Sequence, residues 1–519
     1  MNRHPSLSMS AGPVLLADLL REIDFLEISG SSGDAAAVQL TADSRDVVQG
    51  SLFVAIRGFA SDGHRYIETA ISKGANAVIC ETFPSSRASD VLFIRVADSR
   101  KALAEAARAF FRHASDRLML IGVTGTNGKT TTARLITELL NSCGISAGYI
   151  GTGLSLIGGQ DIPLDRTTPE AHELQALFQR MLREGCRAAV MEVSSHALVL
   201  GRVYGLRFRC AVFTNLSSEH LDFHHTLEEY AEAKKLLFDQ LEPDGFAVFN
   251  RDDSLAAFMA SSVPGEKRFC CTLQSEIAPV LPCDRTLSAL VTGCTVDATT
   301  LELHFPDAVE VVQTALPGMY NVMNLLEAAA AVSGMGVKAD EVAAALRKPF
   351  RIPGRMERIP DDTGKRCAFV DYAHTPDALE KALSTLRELK APDARLVVVF
   401  GCGGNRDRQK RPEMGRIAAG MADYVFLTSD NPRDENPETI LDEIEQGMNG
   451  DRYRRIAARE AAIRAAVESL GPGDILLVAG KGHETYQEIS GKKHFFSDQE
   501  VLRECFRNGA AVTTQKEPA

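Results

Sequence analysis

No C-x-x-C pair occurs in this sequence, and its 11 cysteines are scattered, with only Cys270 and Cys271 adjacent. That spacing excludes a zinc site and a disulfide framework, so a reducing compartment is expected. Nor does any run approach the ~18 apolar residues of a membrane-spanning helix. Basic excess is missing as well: 57 Lys and Arg against 69 Asp and Glu leave a formal charge of −12. A chain that gripped a polyanion through many phosphates would show a basic face, so no nucleic-acid partner is expected. Small anionic substrates remain open to local arginines. The stretch from Val14 to Leu20 is interrupted by Asp18 and makes no secretory core, so a cytoplasmic protein without membrane association is expected. Residues 1–11 and 508–519 read as frayed tails. Tandem repeats and low-complexity tracts are absent too.

What is present is a soluble, globular composition, 45% hydrophobic and 24% charged, in a chain of 519 residues that is too long for one core. Three blocks emerge. Residues 13–112 carry short strand and helix signals, such as Leu52-Phe53-Val54-Ala55 and the alanine-rich pattern from Leu103 to Phe111. Between 113 and 350, apolar runs such as Ala188 to Met191 and Ala211 to Phe213 alternate with helical patterns, which predicts a mostly parallel sheet. From 351 onward the alternation repeats with strands predicted at Ala368 to Val370, Leu396 to Phe400, Tyr424 to Leu427 and Ile475 to Ala479, a smaller doubly wound α/β domain. Arg351-Ile352-Pro353-Gly354, after a helix ending at Leu346, is the expected hinge.

Chemistry concentrates first at Gly122-Val-Thr-Gly-Thr-Asn-Gly-Lys-Thr-Thr-Thr132, between the apolar run Leu118 to Ile121 and an amphipathic stretch from Ala133 to Leu140. A strand, a glycine-rich turn and a helix in that order cradle phosphate. Gly125 and Gly128 let backbone N–H groups of Thr126, Asn127 and their neighbours approach phosphate oxygens. Lys129 adds a charge at the helix N-terminus, and the Thr130 hydroxyl, followed by Thr131, can reach Mg²⁺. The segment is expected to bind a nucleoside triphosphate; the plain alternative is an ordinary strand-to-helix turn. Its spacing departs from the general P-loop, because Val123 stands where that motif has its first glycine.

Further on, Glu192-Val193-Ser194-Ser195-His196 puts a carboxylate at the end of a predicted strand, where open α/β sheets bind ligands and where it could meet Mg²⁺; a solvated loop glutamate is the alternative. His220, Asp222 and His224 fit no zinc spacing; His220 is read as a second magnesium ligand or as structural. Thr226 and Glu229 have capping-box spacing at the start of a helix carrying Lys234 and Lys235. On its own, Lys234 reads like Lys235, as a solvated face residue.

These segments, with Pro317-Gly318-Met319-Tyr320-Asn321 and Gly354-Arg355-Met356-Glu357, occur in the order seen in the Mur ligases of peptidoglycan synthesis, and the chain resembles that family over essentially its whole length. The fold implied is α/β with three domains: a uridine-nucleotide-binding domain (1–112), a central P-loop ATPase-like parallel-sheet domain (113–350) and a Rossmann-like amino-acid-binding domain (351–519). Asp43-Ser44-Arg45, Asp371-Tyr372-Ala373-His374-Thr375-Pro376, Asp430-Asn431-Pro432-Arg433 and Gly480-Lys481-Gly482-His483-Glu484 resemble the members that add the third residue of the stem peptide.

The resemblance implies roles position by position. Ala42 and Ser44 fall where the family holds the uridine nucleotide, with residues 59–61 near the uracil. Thr167, Thr168, Ser194 and Arg202 match positions holding the muramoyl dipeptide, while Leu200 replaces a glutamine found in some members. Asn321, Arg355 and Asp371 would complete the ATP site. Lys234 matches a lysine carbamylated by CO₂, which turns a cation into an oxygen ligand, so that Thr130, Glu192, His220 and Lys234 would hold Mg²⁺. Arg406, Asp430, Asn431, Pro432, Arg433, Gly480 and Glu484 would select the amino acid; alone, Arg433 could equally cap a surface turn. The implied reaction is ATP-dependent joining of meso-2,6-diaminopimelate to the D-glutamate side chain of UDP-MurNAc-L-Ala-D-Glu through an acyl phosphate, by a monomer. The catalytic set would be Lys129, Lys234, Glu192, His220 and Arg355. The alternatives are a lysine-adding version of the same ligase, a folylpolyglutamate synthetase-like ligase, and a P-loop switch that forms no peptide bond.

Overall fold

The computed structural model of the protein describes residues 12–30, 35–58, 61–217, 219–274, 281–361, 364 and 366–513. The chain forms two compact units, one of Asn2–Leu287 with Leu326–Val342, the other of Ser288–Leu325 with Ala343–Ala519.

In the first unit, a five-stranded sheet runs in the order Glu27–Ser29, Leu92–Arg95, Ala75–Cys80, Ser51–Val54, Gln39–Thr41, parallel except for its first strand. Helix Ser99–Phe110 starts at Asp98, whose carboxylate accepts from the N–H groups of Arg100 and Lys101. Its alanines supply helix propensity, and Ala102, Leu103, Ala106, Ala107 and Phe110 form the buried stripe.

The same unit holds the parallel run Ala147–Gly151, Ala188–Glu192, Met119–Thr124, Phe208–Phe213, Leu241–Asn250, Arg268–Thr272. Strand Met119–Thr124 lies between Ala188–Glu192 and Phe208–Phe213, with Val123 opposite Glu192 and Thr124 opposite Phe213. Three chain segments therefore leave the sheet together at its carboxyl edge. Their apolar runs are continuous because both faces of a parallel sheet are covered.

The second unit contains a six-stranded sheet ordered Glu357–Pro360, Cys367–Asp371, Ile475–Ala479, Leu396–Phe400, Tyr424–Leu427, Tyr453–Arg455, parallel except for the first strand. Strand period two divides its core. Leu396, Val398 and Phe400 pack with Leu379, Leu383 and Met414 on one face; Val397 and Val399 pack with Ala462, Ile463 and Leu502 on the other. The last strand in sequence sits beside the first parallel one, so the ends Asp371, Gly401, Thr428 and Gly480 gather around a topological switch point.

Several features were not anticipated. The strands Glu357–Pro360 and Tyr453–Arg455 are short edge pieces without a long apolar run. Antiparallel pairs link Arg285–Cys294, Thr299–His304 and Val309–Thr314, in a stretch expected to form a mostly parallel sheet with helices between its strands. The expected tail from 508 is helical as far as Thr513, because alanines continue helix Asp498–Thr513; residues 1–11 and 514–519 lie outside the described residues. Gly354 is no loose joint: a Cβ there would stand 2.0 Å from the backbone N of His483, so this glycine permits close packing within the second unit. All 11 cysteines are thiols, and among the described residues no helix is long and apolar enough to cross a membrane.

Candidate active site

The phosphate loop follows strand Met119–Thr124 and opens helix Lys129–Ser142. Val123 is an interior strand residue, so this loop is shorter than the general one. Gly125 does the work of a cradle glycine: its φ is +149°, and a Cβ would lie 1.9 Å from Thr214 Oγ1. Asn215, at the end of the neighbouring strand, clamps the loop. Its Oδ1 accepts from Asn127 N at 3.0 Å, its Nδ2 donates to Asn127 O at 3.0 Å, and its carbonyl accepts from Thr126 N at 2.8 Å. Gly128 supplies the left-handed residue before the helix, and Thr130 and Thr131 are buried in its first turn.

Glu192 is no solvated loop residue but 1% exposed. Its Oε1 accepts from Thr130 Oγ1 at 2.9 Å, Tyr149 OH at 2.6 Å and Thr152 N at 3.0 Å, and its Oε2 from Thr152 Oγ1 at 3.2 Å. A carboxylate and a threonine hydroxyl side by side are hard oxygen donors of the kind magnesium takes. Next to them, Thr152 Oγ1 meets Thr167 Oγ1 at 3.1 Å, while Thr168 Oγ1 donates to Glu192 O at 2.9 Å and to Ser194 Oγ at 3.3 Å. Arg202 donates to Thr168 O at 3.1 Å and its Nε stands 3.0 Å from Glu170 Oε1. Glu192, Thr167, Thr168, Ser194 and Arg202 thus share one neighbourhood.

Lys234 is the largest departure from an unaided reading of the sequence. It is 1% exposed, its ammonium donates to Gly125 O at 2.8 Å, and it lies 4.3 Å from the centre of the Tyr230 ring. Lys129 donates to the same carbonyl at 2.9 Å and to Thr126 O at 2.7 Å. Burial first, and the Lys129 charge second, push the Lys234 ammonium well below the usual lysine range, against the opposing charge of Glu219. Lys235 is only half-buried, over the Phe258 ring. The helix carrying both is capped by Thr226, which accepts from Glu229 N.

His220 is exposed, with φ of +58°, and its ring lies 4.9 Å from that of His196. The buried histidine is His224, whose Nε2 is 2.9 Å from Ser195 Oγ. Among the described residues, no three His, Cys, Asp or Glu side chains are grouped to hold a metal ion.

Ala42 and Ser44 follow strand Gln39–Thr41; Ser44 is buried, and Lys73 donates to the carbonyls of Ser44 and Arg45 at 3.0 Å each. Asp43 and Arg45 close on one another, Nε to Oδ1 at 2.7 Å. Phe59 and Ala60 lie outside the described residues.

In the second unit, Asn321 is buried and donates to Pro317 O at 2.7 Å. Asp371 accepts from Met356 N at 2.7 Å and Ala373 N at 2.9 Å; burial raises its carboxyl pKa, with Arg355 opposing. The Arg355 guanidinium lies 4.7 Å over the Tyr372 ring. Around the switch point, Asp430, Asn431, Arg433, Gly480 and Glu484 converge. Gly480, at φ of +113°, puts its Cα where a Cβ would stand 2.5 Å from Asp430 Oδ2. Asn431 Nδ2 donates to Glu484 Oε2 at 2.8 Å. Arg433, at φ of +52° after Pro432, donates to Gly404 O at 2.7 Å, with its Nε 3.3 Å from Glu488 Oε2. It is more than a turn cap, yet it already has a carboxylate partner. Arg406 is exposed across Gly403 from it.

Comparison with known proteins identifies the family. Residues 123–332 match the Mur ligase middle domain, 354–482 the Mur ligase glutamate ligase domain, and 38–111 the Mur ligase family catalytic domain. A protein of Chlorobium phaeobacteroides named "UDP-N-acetylmuramoyl-L-alanyl-D-glutamate--2,6-diaminopimelate ligase" is 59% identical across 96% of this chain and 98% of its own. The chain belongs to the Mur ligase family. A protein of the same name from Chlorobaculum tepidum is 58% identical over 95% of this chain and 97% of its own. A solved structure of a ligase of that name, 34% identical, covers 97% of this chain and 100% of its own with a TM-score of 0.66.

Sequence reasoning missed several residues of this Mur ligase. Tyr149 and Thr152 fix Glu192 from about 40 positions away, and no local pattern marks them. Glu170, Tyr372 and Glu488 pair with the predicted residues Arg202, Arg355 and Arg433. Lys481 was visible as a charge between two glycines inside a quoted motif, but had no role.

Proposed function

We propose that this Mur ligase joins meso-2,6-diaminopimelate to the side-chain carboxylate of D-glutamate in UDP-MurNAc-L-Ala-D-Glu, with ATP as the second substrate, in the cytoplasm. The observation that carries the reading is the convergence of Arg433, Asn431, Asp430 and Glu484 at the switch point of the second unit. A guanidinium and carboxylates in one cluster suit a substrate end bearing both a carboxylate and an ammonium. The names of the relatives at 59% and 58% identity support it. Neither the lysine-adding alternative nor a folylpolyglutamate synthetase is favoured by them. The three family matches support domain boundaries near 112 and 350.

In this reading the loop N–H groups after Gly125 and the Lys129 ammonium hold the triphosphate, and Asn321, Arg355 and Asp371 are nucleotide contacts. Thr167, Thr168, Ser194 and Arg202 orient the muramoyl dipeptide so that its glutamate carboxylate lies in line with the γ-phosphate. Ala42 and Ser44 hold the uridine nucleotide. Phosphoryl transfer gives an acyl phosphate and ADP; the amine of diaminopimelate then attacks the acyl carbon and phosphate leaves. Two anions meet in the first step, so positioning and positive charge supply most of the rate.

The residues present fit magnesium and a carbamate. Thr130 and Glu192 offer adjacent oxygens, and Lys234, whose burial pushes its ammonium well below the usual lysine range, favours the neutral amine that CO₂ requires. Magnesium held by Thr130, Glu192, His220 and the anionic carbamate oxygens of Lys234 would supply the positive charge that offsets the repulsion between two anions. The test is mass analysis of the product formed from UDP-MurNAc-L-Ala-D-Glu, ATP and an equimolar mixture of diaminopimelate and lysine. The diaminopimelate adduct is expected; a lysine adduct, or ADP release without any amino acid, overturns the reading.

A further inference from the structure

We propose that Lys481 is the positioning residue of the amino-acid pocket, fixing Glu484 and Asn431 so that one carboxylate oxygen is presented to the distal ammonium of the substrate. This rests on the function proposed above. Lys481 is 0% exposed. Its ammonium donates to Asn431 Oδ1 at 3.0 Å and to Glu484 Oε2 at 2.9 Å, and lies 5.4 Å from the centre of the Tyr486 ring. Asn431 Nδ2 donates to the same Oε2 at 2.8 Å, closing a triangle of three side chains. Asn431 Oδ1 also accepts from Glu488 N at 2.9 Å, which ties the triangle to the residue paired with Arg433.

The backbone is built to allow this. Gly480 and Gly482 both have positive φ, and a Cβ on Gly482 would stand 2.7 Å from Tyr372 Cβ. The chain can therefore fold back sharply on either side of Lys481 and drive its side chain inward. Two consequences follow for the pocket. Among the described residues both hydrogen bonds to the Glu484 carboxylate use Oε2, which leaves Oε1 to accept from an incoming ammonium. The buried cation also offsets one of the two carboxylates, Asp430 and Glu484, that would otherwise repel each other and the carboxylate of the substrate. Discrimination is then a matter of a held geometry as well as of the presence of Arg433.

The experiment compares Lys481→Met, Lys481→Arg, Glu484→Gln and the double variant Lys481→Met/Glu484→Gln in the intact enzyme. It measures KM separately for diaminopimelate, ATP and UDP-MurNAc-L-Ala-D-Glu, together with Tm. Removing one partner of a buried charge pair should raise the diaminopimelate KM by roughly 10²-fold, with the other two constants changed about twofold or less. The double variant should cost no more than Glu484→Gln alone, because Lys481 acts through Glu484. Additive losses, or a uniform rise of all three constants, overturn the assignment. Should Lys481→Met fail to fold, Lys481→Arg must still raise the diaminopimelate constant selectively; an unchanged constant overturns it too. Wild-type product formation with diaminopimelate separates the two levels: its absence rejects the proposed function, whereas additive variants in an active enzyme reject only the role of Lys481.

Discussion

Adjacent lysines with opposite fates show most directly what single residues do here. Lys234 is buried on Gly125 O, whereas Lys235, about 100° further around the helix, is half-buried over Phe258. Lys234→Ala should abolish turnover and Lys235→Ala should leave it within about twofold, an expectation tied to the difference in burial. Stripping bicarbonate and CO₂ from the wild type should lower turnover reversibly. Equal behaviour of the two variants, or no response to bicarbonate, would count against the carbamate. Arg433 calls for a smaller expectation than an unpaired guanidinium would. Because Glu488 and Gly404 O already engage it, lysine would not leave it bare, and discrimination against lysine should be nearer 10² than the roughly 10⁴ to 10⁵ of a site left with unpaired buried groups. Competition between the two amino acids, on wild type and on Arg433→Ala, measures this; an unchanged preference in the variant refutes the role.

At the scale of elements, function depends on turns that only glycine can make and on strands that end together. Gly125→Ala would force a side chain into a φ of +149° and against Thr214. Backbone strain of about 1–3 kcal/mol is expected, and the Asn215 clamp on the loop would be displaced. Nucleotide affinity, read by titration with a fluorescent ATP analogue, should fall at least tenfold, while far-UV circular dichroism keeps its shape. Retained affinity would mean that the loop tolerates a different path. The helix bearing Lys234 owes its start to Thr226, and the expected capping box contributes through the Thr226 half, Oγ1 accepting from Glu229 N.

For the molecule as a whole, carboxylates paired with arginine contribute to the response to acid. Arg411, fully buried as a side chain, bonds Glu435 and Glu443. The Arg411 hydrogen bond holds the Glu435 carboxyl down at about 2, and Glu443 is lowered chiefly by Arg408. A folded pKa below the unfolded one means that this stabilisation is complete above pH 4.5 and is lost as pH falls toward 2. Tm should therefore drop across that window, and Glu435→Gln should make the drop shallower. An identical slope in the variant would show that Glu435 does not contribute.

The sequence alone determined the elements whose signal is local. The apolar run before Gly125, the continuously apolar strands Leu396 to Phe400 and Ile475 to Ala479, and the spaced glycines of both loops are legible because propensity and backbone freedom act over a few residues. Family motifs then carried the assignment of Lys129, Glu192 and Arg433 to one kind of chemistry. Tertiary structure decided what those residues touch. Nothing near Lys234 in sequence announces that Gly125, 109 positions away, takes its ammonium, nor that Tyr149 and Thr152 pin Glu192. The short edge strands and the antiparallel hairpins from Arg285 to Thr314 were equally hidden, because their stability comes from partners across the sheet rather than from a run of their own. Charge is legible residue by residue, but burial and pairing, which set what a charge can do, exist only once distant strands have ended side by side.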